Sequence, residues 1–251
     1  MLRSVQSLYG YTIRAKDGDV GKVHEFYFDD QAWVIRYLVA DTGNWLVGRR
    51  VLISPVALGQ PDWAAHTLPV ELIKKQVEGS PHISVDQPVS RQMEEELYTY
   101  YGWAPYWRGA TPLGGPGGLA VAEMIASRGR EEKNEAAAGE GDPHLRSTRE
   151  VIGYRIQASD GEVGHVEDFI ADDELWFIRY MVVDTRNWLP GRKVLVAPAW
   201  IKEVNWAENK VFVDLRRETI EYCPEYDPSA PVNREYEVRL YDYYGRPKYW
   251  L

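Results

Sequence analysis

The sequence predicts a mainly β protein of two small β-barrels, each followed by a short C-terminal helix and joined by a flexible linker. A shift of 143 residues, which places Gly10 on Gly153, aligns the two halves without a gap. Between residues 10–55 and 153–198, roughly 27 of 46 positions are identical, which indicates an internal repeat. Each half contains short β-prone runs separated by turn residues, and closure into a barrel removes the exposed edges of so small a sheet.

The repeat divides the chain into three segments. Residues 1–108 form the first copy, residues 109–147 form a linker, and residues 148–251 form the second copy. The linker is rich in Gly, Pro, Ala and Glu and has too few apolar residues for a core, so we expect it to be flexible. Each copy has its own set of apolar strand residues, and we therefore expect two independently folding barrels.

The first two strands of each copy are predicted to form a hairpin. Asp17-Gly18 lies between two β-prone runs, and a two-residue type I′ turn needs the positive φ that Asp and Gly tolerate. In the second strand, Val23 and Phe26 both recur in the second copy although their spacing would place them on opposite faces. This spacing predicts a β-bulge near His24-Glu25.

The next strand is predicted to be buried on both faces. Its alternate positions recur identically in the second copy and are Trp33, Ile35, Tyr37, Val39 and Asp41. The intervening residues are mostly apolar, so the second face should be largely covered as well. The turn residues 41–44 end this strand, and further strands are expected at residues 50–54 and 67–70.

Two helices are predicted after the strands. Residues 71–77 have the character of a single helical turn. From Ser90 to Tyr101 the chain reads as a helix that begins at a serine cap and ends near Gly102.

Composition excludes several functional classes. The 29 Lys and Arg residues are outnumbered by 38 Asp and Glu, and the resulting net charge of −9 argues against nucleic-acid binding. Cys223 is the single cysteine, which excludes an internal disulfide and a cysteine-framed zinc site and favours a reducing compartment. We found no apolar secretion signal and no apolar run long enough to span a membrane, so we expect a cytoplasmic location.

A family resemblance rests on the order of three motifs. These are Asp-Gly-x-x-Gly-x-Val from Asp17, Trp-x-Ile-Arg-Tyr-x-Val-x-Asp-Thr from Trp33, and Trp-Leu-x-Gly-Arg-x-Val-Leu-x-x-Pro from Trp45. In this order, and present in both copies, they resemble the PRC-barrel family in its tandem bacterial or archaeal form. The resemblance implies a small β-barrel that serves as a protein-interaction module. The family includes a photosynthetic reaction-centre subunit and a ribosome maturation factor, whose anchoring helix and additional domain have no counterpart in this sequence.

The loop after the long central strand is a candidate binding site in each copy. An aromatic, an amide and a guanidinium group occur together there, as they do in binding hot spots. The residues are Asn44, Trp45 and Arg49 in the first copy and Asn187, Trp188 and Arg192 in the second. The alternative is structural, with the amide in a turn, the tryptophan over the barrel mouth and the arginine paired with an aspartate.

The C-terminal segment of each copy is dense in aromatic residues and supplies a second group of candidate binding residues. They are Tyr98, Tyr101 and Trp107 in the first copy and Tyr241, Tyr244 and Trp250 in the second. These rings could bind a partner, or they could pack against their own barrel, since a short helix is stable mainly through its buried face.

Catalysis finds no support in the sequence. The five histidines do not recur at matching positions of the two copies, and none has the spacing of a metal site or a catalytic triad. We therefore predict no catalytic residue, no cofactor and no metal site, and expect that the chain is not an enzyme.

Two functional hypotheses remain open. The first is a non-enzymatic adaptor or scaffold that binds a protein partner or itself. The second is a protein that binds a small molecule or a polyanion, such as phosphate or RNA, through the Trp-Leu-x-Gly-Arg loops.

Overall fold

The chain divides into two compact units. The computed structural model describes residues 1–43, 46, 49–81, 89–106, 144–185 and 192–250. Unit 1 comprises Met1–Leu8 with Ser147–Leu251, and unit 2 comprises Tyr9–Arg146. Unit 1 thus combines the second copy with the first eight residues of the first copy, and unit 2 combines the rest of the first copy with the segment that precedes the second.

The secondary structure is mainly β with short helices, as predicted. In chain order the first half contains β1 (Leu2–Ser4), β2 (Thr12–Ala15), β3 (Gly18–Asp29), β4 (Val34–Asp41), β5 (Arg50–Ile53), β6 (Thr67–Pro69), α1 (Lys74–Glu78) and α2 (Arg91–Tyr101). The second half contains β7 (Leu145–Ser147), α3 (Thr148–Val151), β8 (Arg155–Ala158), β9 (Gly161–Asp172), β10 (Ile178–Asp184), β11 (Lys193–Val196), β12 (Ile201–Asn205), β13 (Lys210–Val213), α4 (Arg217–Glu221) and α5 (Arg234–Tyr244).

Each unit is built on one sheet. In unit 2 the strand order is β5-β4-β3-β2-β6, and β7 also pairs with β3. In unit 1 the order is β11-β10-β9-β8-β13-β12, and β1 also pairs with β9. The β2–β6 and β8–β13 pairs are parallel. Among the residues described, no ladder joins the two end strands of either path, so neither sheet is closed by main-chain hydrogen bonds.

The predicted hairpin is present, displaced by one residue. Ala15 pairs with Gly18, so the two-residue turn is Lys16-Asp17 rather than Asp17-Gly18. Gly18 has φ +132°, a conformation that side chains disfavour. The predicted bulge in β3 is confirmed, because the register with β4 shifts between Val23 and Glu25.

Strand β4 is buried on both faces, as predicted. All residues from Val34 to Ala40 are buried, and β4 pairs with β3 on one side and β5 on the other. The prediction that Trp33 belongs to this strand is wrong. Trp33 has φ +52° and lies in the turn before β4, and Trp176 has φ +59° at the matching position of unit 1.

The predicted helix after the strands is confirmed. Ser90 caps α2, its hydroxyl oxygen accepting a hydrogen bond from the Met93 N–H at 3.3 Å, and Gly102 ends the helix with φ +70°. Leu97 and Tyr98 on α2 pack in a cluster that includes Tyr37 of β4. In unit 1, α5 has the same length and a matching asparagine cap.

Most of the predicted linker, residues 109–143, lies outside the described residues. Its last part is described and is regular: Leu145–Ser147 form strand β7. The N-terminal residues Leu2–Ser4 similarly form β1. Neither strand was expected from the sequence.

Candidate functional site

Arg49, the described member of the first candidate loop, is anchored to the end of a helix. Its guanidinium donates to the main-chain oxygen of Glu78 at 2.7 Å and also to that of Ser80, just after α1. The Thr42 hydroxyl donates to the main-chain oxygens of Leu46 at 3.0 Å and Arg49 at 2.7 Å, which holds the two ends of the loop together. Because free helix-end carbonyls need donors, this contact stabilises the fold locally.

The second loop repeats this arrangement. Arg192 donates to the main-chain oxygen of Cys223, which matches Ser80 in the repeat, and the Thr185 hydroxyl donates to the Arg192 oxygen at 2.8 Å. Both arginines therefore bind main-chain carbonyls, and neither pairs with an aspartate among the residues that the structure describes. The other predicted loop residues, Asn44, Trp45, Asn187 and Trp188, lie outside the described residues.

Two of the predicted aromatic residues lie in the cores. Tyr98 and Tyr241 are each 3% exposed. The Tyr98 ring meets Trp103 edge-on with centroids 5.8 Å apart, and the Tyr241 ring meets Trp200 at 5.3 Å. Such edge-to-face pairs are worth about 0.5–1.5 kcal/mol beyond the area they bury. Trp107 lies outside the described residues.

Three further predicted residues are partly covered by neighbouring side chains. Tyr101 stacks on Trp103 at 4.2 Å, and burial raises the pKa of Tyr101 to about 12. Tyr244 packs against Trp200 at 4.6 Å. The Trp250 ring lies under the Arg234 guanidinium at 4.1 Å, a favourable cation–π geometry.

A buried carboxylate in the first C-terminal helix was missed by the sequence prediction. Glu94 Oε1 accepts hydrogen bonds from the hydroxyls of Tyr37 at 2.6 Å and Tyr106 at 2.9 Å, and Arg91 pairs with Oε2 at 2.8 Å. Arg36 lies over the Tyr106 ring at 3.9 Å. Burial and the Glu94 charge raise the pKa of Tyr37 well above its usual range, so Tyr37 remains a donor.

Unit 1 contains the same constellation. Glu237 Oε1 accepts from Tyr180 and Tyr249, each at 2.7 Å, and Arg234 pairs with Oε2 at 2.9 Å. Glu94 and Glu237 are fully or almost fully buried, so these carboxylates connect helix to sheet and do not face solvent. The sequence signal was an acidic residue that recurs at the repeat shift, three residues before the buried Leu97 of α2.

The C-terminal helices also present one exposed tyrosine each at matching positions. Tyr100 is 42% exposed and Tyr243 is 40% exposed. The Tyr100 hydroxyl donates to the Gln76 main-chain oxygen at 2.9 Å, and the Tyr243 hydroxyl donates to that of Thr219 at 2.9 Å. Each ring also meets the following tyrosine edge-on, with centroids 4.9 Å and 5.2 Å apart. Each ring is thus exposed to solvent, yet it is fixed in place by its hydroxyl bond and by its contact with the neighbouring tyrosine.

The edge of β9 in unit 1 binds the N-terminal segment. Ser4 donates its hydroxyl to Asp168 Oδ2 at 2.5 Å, and the Gln6 main-chain N–H donates to Oδ1 at 3.0 Å. The Val5 N–H donates to the Phe169 oxygen at 2.8 Å. Burial raises the pKa of Asp168 to about 6, although the hydrogen bonds from Ser4 and Gln6 oppose this shift.

The edge of β3 in unit 2 binds the segment around β7. The Asp30 N–H donates to the His144 main-chain oxygen at 2.9 Å. The Asp30 carboxylate pairs with His144 Nδ1 and Arg146 Nε, both at 3.0 Å, and Leu145 packs against the core of the unit. Burial raises the pKa of Asp30, against the opposing effects of Arg146 and His144.

The described residues offer few further features that could react with a substrate, bind a metal or cross a membrane. Cys223 is 1% exposed, and burial raises the pKa of its thiol, which disfavours the reactive thiolate. Within the described ranges, no three His, Cys, Asp or Glu side chains are grouped as metal ligands. None of the helices in those ranges has the length and apolar character needed to cross a bilayer.

Comparison with known proteins identifies the domain. The model of the PRC-barrel domain family matches residues 2–76. No curated protein matches the chain. Residues 153–198 repeat the sequence of residues 10–55, which lie inside the matched region. The likeness of this chain to the PRC-barrel domain family thus rests on residues 2–76, and the second copy repeats part of the matched sequence.

Proposed function

We propose that this chain is a non-enzymatic adaptor that holds protein partners through the exposed tyrosines of its two C-terminal helices. The observation that carries the proposal is the matched pair Tyr100 and Tyr243, which are exposed to a similar extent and anchored in the same way. The single cysteine of the chain suits a reducing, cytoplasmic setting for this adaptor.

The physical argument is pre-organisation. A tyrosine that binds a partner normally loses side-chain freedom, and this entropy opposes association. Tyr100 and Tyr243 have already lost that freedom, because each hydroxyl is bonded to a main-chain oxygen and each ring rests on its neighbour. Rigid aromatic rings with an exposed face are typical anchors of protein interfaces.

The alternative of small-molecule or polyanion binding at the Trp-Leu-x-Gly-Arg loops has less support. This alternative takes its positive charge from Arg49 with Arg50 and from Arg192 with Lys193. The guanidinium groups of Arg49 and Arg192 donate to main-chain carbonyls, and Lys193 pairs with Glu167 at 2.7 Å. A bound anion would compete with these contacts. We therefore favour the tyrosines over the arginines as the recognition residues.

The test is quantitative capture of partners from cell lysate by the full chain and by the double variant Tyr100→Ala/Tyr243→Ala. We expect the amount of protein captured by the variant to be lower than that captured by the parent by roughly tenfold or more. Truncation of a hot-spot aromatic costs about 2 kcal/mol or more of binding free energy. Leu175→Ala is the control, since Leu175 is also an exposed apolar residue but lies outside these helices.

A second variant separates recognition from stability. Tyr100→Phe/Tyr243→Phe keeps both rings and removes only the hydroxyl bonds, so it should retain capture better than the alanine variant. Circular-dichroism melts of all variants identify any loss that is due to unfolding. Equal capture by the parent and a folded alanine variant, or no specific capture by the parent, would refute the proposal.

A further inference from the structure

The sheet of unit 1 is extended by a segment that binds through a main-chain ladder and buried apolar side chains. Strand β1 pairs antiparallel with β9, and its three residues Leu2, Arg3 and Ser4 lie opposite Asp172, Ala171 and Ile170. The hydrogen bonds continue on both sides of this ladder, from the Asp173 N–H to the Met1 oxygen at 3.0 Å and from the Val5 N–H to the Phe169 oxygen. The Leu2 and Val5 side chains are buried.

The same tripeptide also pairs with the matching strand of unit 2. Leu145-Arg146-Ser147 is identical to Leu2-Arg3-Ser4 and occurs at the repeat shift of 143 residues. It forms β7, which pairs with β3. The two acceptor strands also end alike, at Asp29 and Asp172, and each is followed directly by a second aspartate. The chain thus carries two acceptor edges at matching positions of the repeat and two identical strands to fill them.

We propose that the β9 edge is a strand-addition site that a second copy of this chain fills with its own Leu-Arg-Ser segment. The main-chain ladder does not distinguish one copy of the tripeptide from another, and the pocket for the leucine is filled by the same side chain. Every chain of this sequence supplies a matching strand, so a second copy is the partner that fits. Reciprocal exchange of identical elements between chains has a low energetic cost.

This site is separate from the exposed tyrosines and does not rest on the proposed function. Tyr243 lies on α5, whereas the acceptor is formed by residues 168–173 of β9 and the turn that follows it. Loss of partner capture at the tyrosines and loss of exchange at β9 are therefore distinguishable results.

Disulfide trapping between full chains tests the proposal. One chain carries Arg3→Cys and the other Ala171→Cys, two positions that pair directly across the ladder. Directly paired residues have Cα atoms about 4.5–5.5 Å apart, which suits a disulfide. Cys223→Ala in every chain leaves only the introduced thiols. After mixing, we expect a disulfide-linked dimer whose yield rises with concentration and exceeds several-fold the yield of a control pair, Arg3→Cys with Lys202→Cys.

A single chain that carries both changes shows whether the two introduced cysteines lie close enough across the β1–β9 ladder to form a disulfide. If Arg3→Cys/Ala171→Cys closes an internal disulfide while the mixed chains remain monomeric, the edge accepts only the strand of its own chain and the proposal is overturned. If neither forms a disulfide, the β1–β9 pairing itself is wrong, with the same consequence.

A measurement on the unmodified chain tests the proposal without depending on whether the cysteine variants fold. A fluorescent peptide with the sequence of residues 144–151 is titrated with the natural full chain during mild warming, and its anisotropy is followed. We expect saturable binding that unlabelled peptide of residues 1–8 displaces, and none for a peptide of scrambled order. Binding no stronger than that of the scrambled peptide would overturn the proposal.

Discussion

Asp168 is a half-buried carboxylate that couples the attachment of strand β1 to pH. It accepts hydrogen bonds from Ser4 and Gln6, and burial raises its pKa to about 6. In an unfolded chain the pKa of an aspartate is about 3.9. The folded state therefore binds the proton more tightly than the unfolded state, and this contribution to stability is complete below about pH 4 and lost as pH rises through 6.

The variant Asp168→Asn tests this linkage. Between pH 4 and pH 7, we expect the free energy of unfolding of the parent to fall relative to that of the variant, by an amount on the order of 3 kcal/mol for a shift of about two pKa units. Urea unfolding at four pH values measures the difference. Glu25→Gln, at the matching position of the other copy, controls for loss of a carboxylate at this place in the fold. A difference between parent and variant that does not change with pH would contradict the assignment.

Strands β3 and β4 approach each other so closely near Gly21 that only glycine fits at this position. Gly21 on β3 has φ +144°, and a Cβ atom there would overlap the main-chain oxygen of Asp41 and lie 2.9 Å from the Thr42 Cα. Gly164 in unit 1 has φ +149° and would meet Asp184 and Thr185 in the same way. Backbone atoms cannot move aside as a flexible side chain can.

We expect Gly21→Ala to destabilise unit 2 more than Gly10→Ala. Gly10 also has positive φ, +81°, but a Cβ there meets no atom within 4 Å. Gly10→Ala should therefore cost only the backbone strain, about 1–3 kcal/mol. The clash in Gly21→Ala should add about 1–3 kcal/mol more. Thermal unfolding of both variants measures the difference, and equal melting temperatures would mean that β3 does not approach β4 this closely.

Local signals account for the elements that the sequence predicted well. The hairpin, the bulge in β3, and the capped helix α2 each depend on residues close together in the chain, such as Ser90 with Met93. Trp33 was misplaced because a tryptophan with positive φ has no compositional signal, and only the surrounding fold imposes it. The Glu94 network was missed because its partner Tyr37 is 57 residues away.

The candidate site was less predictable than the fold. Aromatic composition indicated the right segment of each copy, but burial separates Tyr98, which lies in the core, from Tyr100, which is exposed. Helical spacing alone does not fix that choice, because both residues lie on α2 next to other aromatics. The loop arginines looked available for ligands, and only the structure places the carbonyls of residues such as Glu78 against Arg49.

At the scale of the whole molecule, the compact units differ from the contiguous repeats. The region matched by the family model begins at residue 2, yet Met1–Leu8 belongs to unit 1, which otherwise consists of the second copy. The sequence does not specify this assignment, because Leu2-Arg3-Ser4 and Leu145-Arg146-Ser147 are identical and either could complete either sheet. Which strand completes which sheet depends on the fold as a whole.

The variants Leu2→Ala and Leu145→Ala test this assignment, since they make the same change at the same position of the repeat. Leu2 is 6% exposed and belongs to unit 1, so its truncation should destabilise the second copy, by about 2–3 kcal/mol. Leu145 packs against the core of unit 2, so its truncation should destabilise the first copy. Hydrogen–deuterium exchange reports the affected unit, through the amides of β10 for unit 1 and of β4 for unit 2. Faster exchange in β4 rather than β10 of the Leu2→Ala variant would mean that each strand completes the sheet of its own copy.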